Sequence, residues 1–176
     1  MINTLNDLVT ESISKFGVNI SGILYYGSSL RNENNLFSDQ DLLMTVKDYD
    51  TELLVELRHI VKSAPFFVDL PVIFESEIPT DPERFRLINH GCYFLEILKR
   101  GQPIYGRNVF LDLGKPSPAA IQQSLLETIV EYTQFFRRNF VESNRERSLA
   151  VNYQLNRRLI KGAYDLLWIV DGKMHD

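Results

Sequence analysis

A single cysteine, Cys92, leaves this sequence without an internal disulfide and fits a reducing compartment. Its three histidines, His59, His90 and His175, are too scattered for a metal set, and none pairs with Cys92 or a serine as a nucleophile. No apolar run approaches the roughly 20 residues that a membrane helix needs, and no basic-then-apolar leader opens the chain. The expectation is a soluble, cytoplasmic protein with no membrane partner. An excess of basic charge is also missing: the formal net charge is −4, which argues against a generic nucleic-acid coat. Repeats and low-complexity segments are absent too, so neither a solenoid nor a disordered tail is expected.

What is present is an ordinary globular composition, 44% hydrophobic and 24% charged over 176 residues. Leu5, Leu8, Val9 and Ile13 recur at helical spacing, so residues 4–16 form an amphipathic helix that Gly17 ends. Ile20 to Tyr26 and Asp41 to Val46 read as strands. Asp50 caps a helix with Leu53, Leu54, Leu57, Ile60 and Val61 on its apolar face. Phe66 to Phe74 is apolar almost throughout, which predicts a third strand, central in its sheet. Phe85 to Lys99 reads as a helix despite Gly91, and Pro103 to Tyr105 as a short strand. Gly114-Lys115-Pro116-Ser117-Pro118 stops any regular element and marks a linker. Beyond it the period is purely helical, over residues 118–141 and 146–170. The layout is therefore α+β: an α/β domain over residues 1–113, a small mixed sheet flanked by helices, then a helical hairpin or small bundle over 114–176.

Chemistry concentrates at Gly27-Ser28-Ser29, where the first strand ends, and at Ser38-Asp39-Gln40-Asp41-Leu42, where the second begins. Residues two apart on a strand share a face, so Asp39 and Asp41 project together. Two like charges that close repel, and a hard divalent cation resolves the conflict, because Mg²⁺ prefers oxygen ligands and binds through a few carboxylates plus substrate phosphates. Gly27 lets the backbone approach a phosphate closely, Ser28 adds a hydroxyl, and the N–H groups of a turn entering a helix make an anion site. Asp69 interrupts the apolar third strand, a costly place for a carboxylate without a partner. A salt bridge to an arginine such as Arg31 is the plain alternative for it. Glu75 and Glu77 sit at that strand's polar end.

An apolar strand, Gly-Ser, ten intervening residues and then Asp-x-Asp on a second strand resembles the signature of the DNA polymerase β-like nucleotidyltransferase superfamily. Its minimal and aminoglycoside nucleotidyltransferase branches are the closest in appearance. Gln40 stands where an apolar residue is usual, and Asn32 where a glycine often follows Arg31. Leu95 to Gly106 resembles the helix, glycine turn and short strand that close such domains, so the likeness spans roughly residues 18–107. The resemblance implies a nucleotidyltransferase fold and transfer of a nucleotide, AMP from ATP, to a hydroxyl acceptor with release of pyrophosphate. It implies two Mg²⁺ ions, or Mn²⁺, held by Asp39, Asp41 and Asp69, with Asp69 the general base. Gly27, Ser28 and Arg31 would hold the nucleotide. The acceptor is a small hydroxylated molecule or a protein or RNA, and a homodimer or a toxin-like protein partner is consistent with relatives of this size. A non-catalytic, nucleotide-sensing or partner-binding module of the same fold is the alternative. Charge is uneven: residues 1–50 carry seven acids and three bases, Arg137 to Lys161 seven bases and two acids. That basic stretch is either a solvated helix face or a contact for phosphates, RNA or an acidic protein.

Overall fold

The computed structural model describes residues 2–26, 40–66, 68–87, 90–142 and Ile160. The first helix, α1 (Leu5–Phe16), begins where side chains satisfy its free N–H groups. Thr4 Oγ1 accepts from Asp7 N at 3.2 Å, and Asp7 Oδ2 accepts from Thr4 N and Asn3 N at 2.9 Å each. This is a reciprocal capping box. The backbone N–H of Asn3, then that of Thr4, hold the Asp7 carboxyl below its ordinary pKa. Helix α2 (Thr51–Ser63) starts at Asp50, as expected, whose Oδ1 accepts from Glu52 N at 2.9 Å and Leu53 N at 3.1 Å.

The sheet is mixed. Strand β1 (Ile20–Tyr25) lies between β2 (Gln40–Val46) and β5 (Gln102–Gly106), antiparallel to both. Strands β3 (Val68–Asp69) and β4 (Val72–Phe74) both run parallel to β2. Among the described residues the strand path is β3-β2-β1-β5, with β4 also on β2. One face of this sheet packs on α1 and α2. Ile23, Leu42, Met44, Val46 and Phe74 are buried there with Leu8, Val9, Leu53, Leu57 and Ile60, flanked by Phe66, Val68, Leu70 and Val72.

Two expectations need correction. The apolar run Phe66–Phe74 is not one central strand but two short pieces at the end of the strand path. Pro71 lies in the gap, has no N–H to give to a ladder, and offers only its carbonyl, which accepts from Met44 N at 3.0 Å. The run is apolar because alternate residues from Phe66 to Phe74 all pack on the helix-covered face. Residues 85–99 are likewise not one helix. Only α3 (Tyr93–Lys99) is helical; before it come a 3-10 turn at Pro82–Arg84 and a bridge between Leu87 and His90. Gly91 belongs to a close approach, since a Cβ there would stand 2.6 Å from the Cβ of Ser124.

Two compact units emerge, Met1–Thr80 with Glu96–Leu113, and Asp81–Leu95 with Gly114–Asp176. The 113/114 boundary is thus one of three points where the chain passes between units. In the second unit α4 (Pro118–Glu142) starts with Pro at its first position, and Ser117 Oγ accepts from Ala120 N at 3.2 Å. Buried Cys92 lies 3.4 Å from both Ala120 O and Ser124 Oγ, and Ser124 Oγ also accepts from Tyr93 N at 3.2 Å. Cys92 therefore packs on the first turns of α4. The expected helix over 146–170 lies outside the described residues, Ile160 excepted. No helix among the described residues is long and apolar enough to cross a membrane.

Candidate active site

Strand pairing brings two of the expected site residues together. In the parallel β2–β3 ladder Asp41 is the register partner of Asp69. Neighbouring strands lie about 4.8 Å apart, and register partners point to the same side. The side is fixed by what flanks them. Leu42 and Met44 face the helix-covered core, and so do Val68 and Leu70 on either side of Asp69. Asp41 and Asp69 therefore stand side by side on the opposite face, Asp41 half-buried and Asp69 exposed.

That exposure corrects the reason for singling out Asp69. It is not a carboxylate buried in an apolar strand, so no desolvation cost marks it. Its alignment with Asp41 does. The distinction also separates Asp69 from Glu75 and Glu77. Phe74 pairs with Val46 at the far end of β2, so the residues after it lie about 17 Å along the strand from Asp41. Glu77 has a structural task there, its Oε2 accepting from Phe74 N at 2.9 Å.

Asp39, Gly27, Ser28 and Arg31 lie outside the described residues. The chain does leave and re-enter the sheet beside the carboxylate pair: Tyr26, which directly precedes Gly27, donates its N–H to Asp41 O at 3.1 Å, and Gln40, which directly follows Asp39, opens β2. Tyr26 is a residue that sequence reasoning passed over. Strand parity could have found it, since the β1–β2 register pairs it with Asp41 once Tyr25 is set opposite Leu42.

The donors fit a hard cation. Two carboxylates on one face supply oxygen ligands, which suits Mg²⁺ and Mn²⁺. No group of three or more His, Cys, Asp or Glu placed to hold a metal occurs among the described residues. Asp39, the third carboxylate of the expected set, lies outside the described residues. Among the described softer donors, His90 bonds Tyr93 Oη through Nδ1 at 2.5 Å and stacks on Phe94, and Cys92 is buried against α4. Arg137 and Arg138 are exposed on α4, and the other arginines of the basic stretch lie outside the described residues.

No protein-family model matches the chain, and no curated protein matches its sequence. Among solved structures it is similar to spectinomycin adenyltransferase AAD(9) from Enterococcus faecialis, determined with ATP and spectinomycin. The TM-score is 0.61 at 15% identity, over 97% of this chain and 77% of that one. The likeness is one of fold. The chain shares the α+β fold of that adenyltransferase, a small mixed sheet flanked by helices.

Proposed function

We propose that the protein is a Mg²⁺-dependent nucleotidyltransferase that moves AMP from ATP to a hydroxyl acceptor and releases pyrophosphate. The observation that carries this reading is Asp41 and Asp69 in register on one face, with Tyr26, the last described residue before Gly27-Ser28, hydrogen-bonded to Asp41. In it Asp39, Asp41 and Asp69 are the metal ligands. Two Mg²⁺ ions held there would offset the charge on the phosphates and on the entering and leaving oxygens. The backbone at Gly27, the Ser28 hydroxyl and Arg31 hold the phosphate chain. Asp69, the more exposed of the described pair, takes the proton of the acceptor hydroxyl. The hydroxyl oxygen forms a bond to the α-phosphorus, the bond to the bridging oxygen breaks, and pyrophosphate leaves. A small hydroxylated acceptor is favoured, because the similar solved structure holds ATP and spectinomycin together.

The test is label transfer. The protein is incubated with Mg²⁺, a cell lysate and ATP labelled at the α- or the γ-phosphate. The reading expects acceptor labelled from the α-position only, in the small-molecule fraction. Label in protein or RNA would move the acceptor class. Label from the γ-position would mean phosphoryl transfer and overturn the reading. Mg·ATP binding with no transfer of any of the four nucleotides would favour the non-catalytic module.

A further inference from the structure

We infer that Arg100 is a contact for the polyphosphate of the nucleotide, approaching the carboxylate pair from the β5 side of the sheet. The inference rests on the reading of Asp41 and Asp69 as part of a nucleotidyl-transfer site. It starts from where α3 ends. The chain turns between α3 and β5, Arg100 N donating to Ile97 O at 3.2 Å and Gly101 N to Leu98 O at 2.9 Å. β5 then begins at Gln102, the register partner of Tyr25, while Leu42 partners Tyr25 from the other side. One step along, Tyr26 bonds Asp41, and Asp41 pairs with Asp69. The turn thus lies at the same end of the sheet as the carboxylate pair. It also lies on the same side. Leu24 falls between Ile23 and Tyr25, which face the helix-covered core, so Leu24 faces the carboxylate side. A Cβ on Gly101 would stand 3.6 Å from Leu24 Cβ and 3.4 Å from Tyr25 O.

The turn is held in place from below. Buried Asn108 donates from Nδ2 to Leu98 O at 2.9 Å and Gly101 O at 3.2 Å, and its Oδ1 accepts from Phe110 N at 3.1 Å. Leu98 O belongs to the negative end of α3, which would repel a phosphate if left bare. Lys99 is mostly buried and lies 3.3 Å from Glu96 Oε1, whereas Arg100 is exposed. The other described cations of this unit are placed differently. Lys47 N bonds Asn19 O and Arg107 N bonds Ser21 O, both at the start of β1, the far end. Lys15 is paired on α1 with Glu11 and Glu56, and Arg58 and Lys62 belong to α2, over the opposite face. Arg100 is therefore, among the described residues, the exposed cation of this unit at the carboxylate end and side. Charge supplies the need for one. Three aspartates and a triphosphate carry more negative charge than two divalent ions offset, and a guanidinium fork matches phosphate oxygens. Two strand spacings, about 10 Å, separate the line of β5 from that of β2. A metal-bound triphosphate and an extended arginine side chain span that distance together.

The experiment titrates Mg·ATP and Mg·tripolyphosphate into the whole chain by calorimetry, with circular dichroism to confirm folding. Arg100→Gln should weaken both about tenfold to a hundredfold, the scale of one hydrogen bond to a charged group. Arg100→Lys keeps the charge and loses the fork, so it should fall between Arg100→Gln and wild type. Arg107→Gln removes a charge at the far end of β1 and should match wild type. Mn²⁺ binding without nucleotide should weaken in Asp41→Asn and stay unchanged in Arg100→Gln. Wild-type affinity in Arg100→Gln would make Arg100 only a helix-end cation and overturn the proposal. So would a loss confined to ATP, which would put the contact on the nucleoside. An equal loss in Arg107→Gln would overturn it too, because the effect would then come from the field of the whole protein. Failure of wild type to bind Mg·ATP, or binding indifferent to Asp41→Asn, would instead overturn the nucleotide-site reading beneath the proposal.

Discussion

Gly106 is where the β1–β5 pairing is most exposed to a single change. It has φ of +62°, and a Cβ there would stand 2.0 Å from Ser21 O and 2.8 Å from Ser21 C. Both are backbone atoms of the neighbouring strand, so no side-chain rotation relieves the overlap. The left-handed conformation alone costs an L-residue about 1–2 kcal/mol. Separating the strands enough to admit a methyl group also breaks the Arg107 N to Ser21 O hydrogen bond of 3.1 Å, worth about 1 kcal/mol more. Gly106→Ala should therefore destabilise by about 3 kcal/mol, a Tm lower by about 6–12 °C for a chain of this length. Gly114 is the control. A Cβ there meets only Pro82 Cγ at 3.6 Å, and Gly114→Ala should lie within about 1 kcal/mol of wild type. Thermal unfolding followed by circular dichroism decides it. If Gly106→Ala costs no more than Gly114→Ala, the close approach of β5 to β1 is wrong.

Asp50→Ala removes the one oxygen that accepts both N–H groups at the start of α2 and should cost about 1 kcal/mol, or about 2–4 °C in Tm, by thermal unfolding. Asp7 has a pKa lowered by the backbone N–H of Asn3 and Thr4, so its stabilising charge is present above the ordinary carboxylate range and is lost as pH falls through the lowered value. Tm-against-pH curves of wild type and Asp7→Asn should therefore converge in strong acid, and parallel curves would refute that role. Glu75→Gln and Glu77→Gln should retain label transfer, because both residues follow the β4 end of the sheet, away from Asp41. Loss of transfer in Glu75→Gln would move the third carboxylate there.

Much of this fold could be read from periodicity. The helices around Leu8 and Leu57 and the strands around Ile23 and Met44 carry patterns set by the core they share. Asp50 sits where helix-end chemistry put it, whereas Pro118, read as part of a linker, opens α4. Residues 66–74 and 85–99 were misread for one reason: apolar content reports burial, not pairing. Phe66 to Phe74 is apolar because one face packs on α1 and α2, and a local pattern does not reveal that Pro71 breaks the ladder. Gly91 is set by Ser124, 33 positions along the chain, so no window around it carries the signal. At the site, spacing singled out Asp41, and Asp69 was singled out for a burial it does not have. Their adjacency and the place of Tyr26 depend on strand register, which pairs residues far apart in sequence.

The most direct test of the central claim compares α-labelled ATP turnover in wild type, Asp41→Asn and Asp69→Asn, with circular dichroism to show that each is folded. The paired carboxylates predict transfer in wild type and at least a hundredfold loss in either variant, the scale seen when charge stabilisation is removed from a transition state. Near-normal transfer in Asp69→Asn would contradict the account, because the residue aligned with Asp41 would then have no part in the chemistry.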